Sequence, residues 1–318
     1  MKKRKTVSVV FGAFALLMMI VDSKTVMNGM SAGMELCIQS LIPAVFPFLV
    51  VSTVLTGALG GSLTSYLAVG FLSGYPVGAK NVTDGWRGGA LSKDDAQRML
   101  AFCSNAGPSF LFGMIGPMFE QWYIPWMLWM IHILGALVSA AVASPKKIRG
   151  VPAGVITLVQ ALYSSVRTMG IICGWVVLFR VMISFLEKWC FWAIPDGMFV
   201  LVSGLLELVN GCVRLGQLEL DGLRYLIAGV MLAAGGCCVT MQTVSVCEGL
   251  SLQWYFHGKC IQCAVSILLC SLTQFVFLEQ ERVFLPGAVV AAVILLLFSV
   301  VVLGKCKNCS SNPELIGV

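Results

Sequence analysis

"GFLSGYPVGAKN", residues 70–81, lies in an apolar tract that is otherwise fit to span a bilayer. Gly70, Gly74, Gly78, Pro76 and Lys80 all fall inside it. In a helix interior each Gly costs roughly 1 kcal/mol and a Pro about 3 kcal/mol relative to Ala. A Lys at the bilayer centre costs on the order of 2.5–3.5 kcal/mol on insertion scales. Irregular backbone survives at membrane depth only where protein buries it or where it lines a watery cavity. The segment Leu63–Lys80 is therefore read as a re-entrant hairpin with these residues at its tip.

Composition sets the class. The chain has 318 residues, is 58% hydrophobic and only 11% charged, with a mean hydropathy of +0.91. Soluble domains carry about 25% charge. The expectation is an all-α polytopic membrane protein. The net charge of +6 is dispersed, and nothing combines basic patches with aromatics as a nucleic-acid surface would. "MKKRK" heads the apolar run Val7–Val21, and no small-x-small cleavage site follows. That reads as an uncleaved anchor with a cytoplasmic N-terminus rather than a signal peptide. The thirteen cysteines sit mostly in apolar segments and read as small packing residues. The two CxxC pairs, Cys260–Cys263 and Cys306–Cys309, lie on either side of two expected spans, so neither metal nor cofactor is expected. No Ser/His/Asp grouping, HExxH or nucleotide fingerprint is present, and no enzyme is expected.

Charge and apolar runs give a topology of eight spans plus two hairpins. The spans are Val7–Val21, Leu36–Ala58, Met99–Phe119, Trp122–Ser144, Leu158–Leu186, Arg224–Val246, His257–Leu278 and Pro286–Leu303. The second hairpin is Asp196–Cys212, and Asn81–Arg98 reads as a polar cytoplasmic loop. Both termini are then cytoplasmic. An internal repeat supports this layout. At an offset of 130 (201 − 71), "FLSGYPVGAKNV" (71–82) falls on "LVSGLLELVNGC" (201–212). The same offset sets "SNAGPS" (104–109) on "AGGCCV" (234–239) and "IPAVFPFLVV" (42–51) on "ICGWVVLFRV" (172–181). Residues 80–98 hold four Lys/Arg, whereas 207–222 hold one, Arg214. That asymmetry is what an inverted repeat predicts. The organisation is an anchor (1–35), a first unit (36–144), an inverted second unit (145–250) and C-terminal helices with a tail (251–318). Inverted units with broken helices form a secondary-transporter plan, with the site where the breaks meet.

The candidate site residues follow from the breaks. Gly74, Tyr75, Pro76 and Gly78 free backbone groups, and Lys80 adds a cation beside them. Such a tip suits a carboxylate; the bland reading is a tight turn with Lys80 snorkelling to the headgroups. Asn105, Gly107, Pro108 and Ser109 break the next helix, or form a capped Pro kink. Glu207 and Asn210 share a helix face and suggest a proton or cation site, unless Glu207 sits at the outer headgroup edge. Thr240, Gln242 and Ser245 follow the second break, as polar lining or as interhelical hydrogen bonds. His132 reads as a packed, hydrogen-bonded histidine, and Arg180 needs a partner, either Glu187 or Glu207.

"GFLSGYPVGAK", "LSKDDAQRMLAFCSNAGPSFLFG" and "GLLELVNG" resemble the YlbJ/SpoVV sporulation integral membrane proteins. These belong to a wider group with nucleoside-recognition Gate domains, similar to concentrative nucleoside transporters. The likeness covers roughly residues 36–280, with "GGCCVTMQTVS" matching only in part. It implies a transporter of endospore formation, moving the aromatic dicarboxylate dipicolinate across the outer forespore membrane. Its partners would be a small anionic solute, the lipid bilayer and other sporulation membrane proteins. Coupling to H⁺ or Na⁺ is open. A transporter of a nucleoside or another solute, or a membrane scaffold without a substrate, are the alternatives.

Overall fold

The helices start where short polar side chains can cap them. Asp22 accepts from the Thr25 backbone N–H, Ser62 from Ser65 and Ser92 from Asp95. Thr157 and Gln160 form a reciprocal capping box. The computed structural model describes residues 2–59, 62–145, 156–190, 192, 194–218, 221–277 and 289–299, which hold no strand. The positive stretch beyond Pro145, the tail with Cys306 and Cys309, and the ends of the last expected span lie outside the described residues.

The elements are α1 (Lys2–Val21), α2 (Ser23–Leu36), α3 (Ile42–Leu59), α4 (Leu63–Leu72), α5 (Val77–Arg87), α6 (Lys93–Met99), α7 (Pro108–Phe110), α8 (Ile124–Ala143), α9 (Leu158–Trp189), α10 (Asp196–Leu206), α11 (Leu208–Leu215), α12 (Asp221–Ala234), α13 (Gly236–Val246), α14 (Gln253–Phe277) and α15 (Val289–Ser299). Among the described residues, five stretches are long and apolar enough to cross a membrane: Ser23–Leu55, Ile124–Ala143, Leu158–Trp189, Gly222–Val246 and Gln253–Gln274. Large apolar side chains such as Trp126, Met130, Tyr163 and Val166 are exposed on their outer faces. The described residues form helices and no strand, which is compatible with a membrane-embedded protein.

Two segments differ from expectation. Residues 23–35 are helical rather than a connection, so α2 runs on into α3 through a single wide turn at Cys37–Leu41. There the Ile42 N–H bonds to the Cys37 carbonyl, five residues back, just before Pro43. The cause of the extended helix is packing. Gly29 and Gly33, four apart, let α2 lie so close to α9 that an added Cβ would sit 2.9 Å from the Cα atoms of Val181 and Val177. The stretch 81–98 is likewise no plain loop. It contains the second half of α5 and all but the last residue of α6, supported by the i,i+4 pairs Lys80–Asp84 and Arg98–Asp94.

Helices α8, α12 and α14 pack as one group, and α2, α3 and α9 as another. Between them sit two hairpins, α4–α5 and α10–α11. Each closes on facing glycines: Gly70 against Gly78, and Gly204 against Gly211. The expected offset set Ser73-Gly74 on Ser203-Gly204. Gly204 is instead inside α10, and that hairpin turns at Glu207, because its turn is one residue long where the first spans Ser73–Pro76.

Candidate functional site

Each hairpin turn rests on a helix break. In the first, Gly74 has φ +75, a conformation that only glycine adopts freely, and a cis Tyr75–Pro76 bond follows. A Cβ on Gly74 would lie 3.0 Å from the Gly107 nitrogen, so the turn touches the break backbone to backbone. Between α6 and α7 the chain is unwound, and its orphaned polar groups must find other partners. They do. The Ala101 carbonyl accepts from Gln262 Nε2 (3.0 Å), Phe102 from Asn105 Nδ2 (2.6 Å) and Ser104 from Lys259 Nζ (2.7 Å). The Ala106 N–H donates to His132 Nε2 (2.9 Å), which sets the neutral ring's proton on Nδ1. Side chains of α8 and α14 thus hold the break open.

In the second half, Gly235 and Gly236 have φ +72 and +80 and divide α12 from α13. A Cβ on Gly236 would sit 2.9 Å from the Gly204 carbonyl, so the second hairpin leans on this break. Glu207, 1% exposed, caps α11. Its carboxylate accepts from the Val209 and Asn210 N–H groups at 3.1 and 2.7 Å, and from Asn210 Nδ2 at 2.6 Å. The helix start thus satisfies both oxygens of the buried carboxyl group.

The two turns, the first break and α13 border one cavity of about 40 Å³. Tyr75, Gly107, Ser109, Glu207 and Gln242 supply its polar wall, and Leu41, Val45, Ile172 and Val176 its apolar wall. That volume admits only one or two waters. Ser73 Oγ, Ser203 Oγ, Tyr75 OH and Asn105 Oδ1 are buried nearby without a hydrogen-bond partner among the described residues. Larger clefts flank the cavity. One of about 480 Å³ is lined by Leu49, Thr53, Lys80, Asp84, Ser164 and Thr168; the other, of about 390 Å³, by Leu36, Ser40, Arg180, Asn210 and Arg214. Order along the helices aligns all three. Residues 36–40, 41–45 and 49–53 pass from one cleft through the cavity to the other, as do Arg180, 172–176 and 164–168 on α9. At 1.5 Å per residue the twelve residues from Thr168 to Arg180 span about 18 Å.

Of the expected site residues, Gly74, Tyr75, Gly107, Ser109, Glu207 and Gln242 meet at the cavity. Pro76 and Pro108 begin the helical segments beside it, and Asn105 braces the break. Gly78 packs on the Cys103 carbonyl. Lys80 does not reach the cavity; its ammonium pairs with Asp84 at 2.5 Å in the first cleft. Asn210 holds Glu207 and borders the second cleft. Thr240 bonds back to the Gly236 carbonyl, and Ser245 receives the Trp175 indole N–H at 3.0 Å, outside the cavity. Arg180 pairs with Glu187 at 2.8 Å, and Arg214 joins the same carboxylate.

Sequence reasoning missed Lys259. It lies in "FHGKC" near the start of α14, where a lysine reads as an interfacial residue. In the fold it is 7% exposed, and its ammonium lies 5.5 Å from the Tyr75 ring centroid. The available signal was a cation six residues into an otherwise span-like helix. No protein-family model, curated protein or solved structure matches this chain.

Proposed function

We propose that the protein is a secondary-transporter-like membrane protein whose two halves, inverted with respect to one another, carry a solute through the cavity between their hairpins. The observation that carries this reading is the alignment of two clefts on either side of a small cavity with one polar and one apolar wall. A solute reaching either cleft would meet the same barrier, formed by Tyr75, Glu207, Val45 and Ile172. That is the layout alternating access requires. The eight-span topology with re-entrant hairpins and cytoplasmic termini belongs to the same proposal.

The solute, by the resemblance in the two hairpin motifs, is a small aromatic dicarboxylate, dipicolinate, exported across the outer forespore membrane of a sporulating bacterium. Tyr75 offers a ring to stack on, and the helix start at Gly107–Ser109 leaves first-turn N–H groups without intrahelical acceptors. Labelled dipicolinate uptake into proteoliposomes tests it. Saturable uptake by the native protein, reduced about fivefold in Tyr75→Ala, is expected, since stacking is worth roughly 1 kcal/mol. Folded protein without uptake would sink the dipicolinate assignment. One observation favours a second solute class. Glu207 and Gln242 give the cavity hydrogen-bonding groups, one of them a carboxyl that can carry a proton, suited to a nucleoside or a proton-coupled neutral solute. Uptake of labelled uridine but not dipicolinate would select it.

A further inference from the structure

Lys259 brings an ammonium group into the interior, where it is 7% exposed. None of the ion pairs among the described residues includes it. Its Nζ instead faces acceptors on every recorded side: the Ser104 carbonyl at 2.7 Å, Gln262 Oε1 at 3.2 Å, and the rings of Tyr75 and Tyr255 with centroids at 5.5 and 5.7 Å. Oxygens and π-faces are the partners an ammonium needs. A side chain placed there for packing alone would be an apolar one, because burying a charge is costly.

The place it occupies is chemically distinctive. Ser104 belongs to the unwound run beyond the C-terminal end of α6, where carbonyls lack helical donors and the half-helix dipole is negative. Ser104 Oγ and Asn105 Oδ1 are both buried there without a hydrogen-bond partner among the described residues. Unwound carbonyls at such an end are what secondary transporters offer to Na⁺. Across the cavity, Glu207 sits at the N-terminal end of α11. The first break therefore holds a buried ammonium beyond a helix C-terminal end, and the second turn a buried carboxyl group at a helix start.

We propose that Lys259 is a tethered cation that occupies the coordination place of a mobile Na⁺ at the first break, so that the protein functions without Na⁺. The consequence for coupling rests on the transport reading. The resident-cation claim does not, and it is tested without a solute.

Thermal unfolding of the purified full chain in detergent is followed in sodium chloride, potassium chloride and choline chloride at equal ionic strength. The native protein is expected to unfold at the same midpoint, within about 1 °C, in all three salts, because the place is filled. Lys259→Ala is expected to unfold about 5 °C or more lower in choline, consistent with two buried acceptors losing their donor. Na⁺ or methylammonium, but not choline, should then raise its midpoint saturably, as binding to the native state does. Lys259→Met, which fills space without charge, separates packing from charge and should remain low in choline. Three results would overturn the proposal: saturable stabilisation of the native protein by Na⁺, a Met variant as stable as the native one, or an Ala variant indifferent to every cation. If neither variant folds, the native salt series alone decides it. Failure of dipicolinate uptake leaves these readings unchanged, so the two proposals fail separately.

Discussion

Gly74 and Gly107 lie against each other so closely that a Cβ on either would stand 3.0 Å from the other's amide nitrogen. Nothing flexible lies between them that could give way. Gly107→Ala should therefore push the first hairpin off its break at a cost of about 1–3 kcal/mol. Gly74→Ala adds a left-handed backbone penalty of about 1 kcal/mol. Midpoints of thermal unfolding would rank native above Gly107→Ala above Gly74→Ala. A Gly107→Ala protein as stable as the native one would mean that the hairpin and the break are not in contact.

Glu207 holds the start of α11 with three hydrogen bonds. Glu207→Ala removes a buried cap and should lower stability by about 2 kcal/mol. Glu207→Gln keeps one acceptor oxygen and should lose about half as much. If the carboxylate also serves transport, the Gln variant will lose solute uptake while remaining folded. Uptake and unfolding measured on the same preparations separate the two roles.

Lys80 offers a sharp contrast. It is paired with Asp84 in an open cleft, its side chain 34% exposed, and contributes nothing to the cavity wall. Lys80→Ala should change stability by less than about 0.5 kcal/mol, the usual worth of an exposed i,i+4 pair. Uptake should fall no more than about twofold, through altered attraction at the cleft mouth. Complete loss of uptake in Lys80→Ala would return the anion site to this lysine.

The two clefts should open to opposite sides of the membrane. In a background freed of reactive native thiols, Thr53→Cys and Ser40→Cys mark the first and second cleft. A membrane-impermeant maleimide added to sealed right-side-out and inverted vesicles should label each position from one side only, and from different sides. Labelling of both from the same side would contradict a path through the cavity.

The breaks were legible because glycine and proline have few other uses inside an apolar run. Gly74, Gly107 and Gly235 mark the hairpin turn and the two interruptions. Helical continuity over residues 23–36 was not legible, since "DSKTVMNGM" is too polar for a span by hydropathy. Its fate is decided by Gly29 and Gly33 meeting α9, a contact between segments about 150 residues apart. The role of Lys259 was hidden for a similar reason. Its Ser104 partner is 155 residues away, and nothing local distinguishes it from an interfacial lysine. The Lys80–Asp84 pair, by contrast, stood in the sequence at i,i+4 and needed only to be weighed against the anion site.

The cavity is walled by two different kinds of surface. On one side the unwound chain is fastened to α8 and α14 by directional bonds from His132, Lys259 and Gln262, each of which fails if the partners slide by an ångström or two. On the other side α3 and α9 present Leu41, Val45, Ile172 and Val176, whose contacts can be exchanged for neighbouring ones with little loss. Polar ties from α9 to the hairpin side, Trp175–Ser245 and Glu187–Arg214, sit away from the cavity. A displacement that widens the cavity therefore has a natural slip plane along the aliphatic face, with the fastened wall as its stator and those two ties as its brakes.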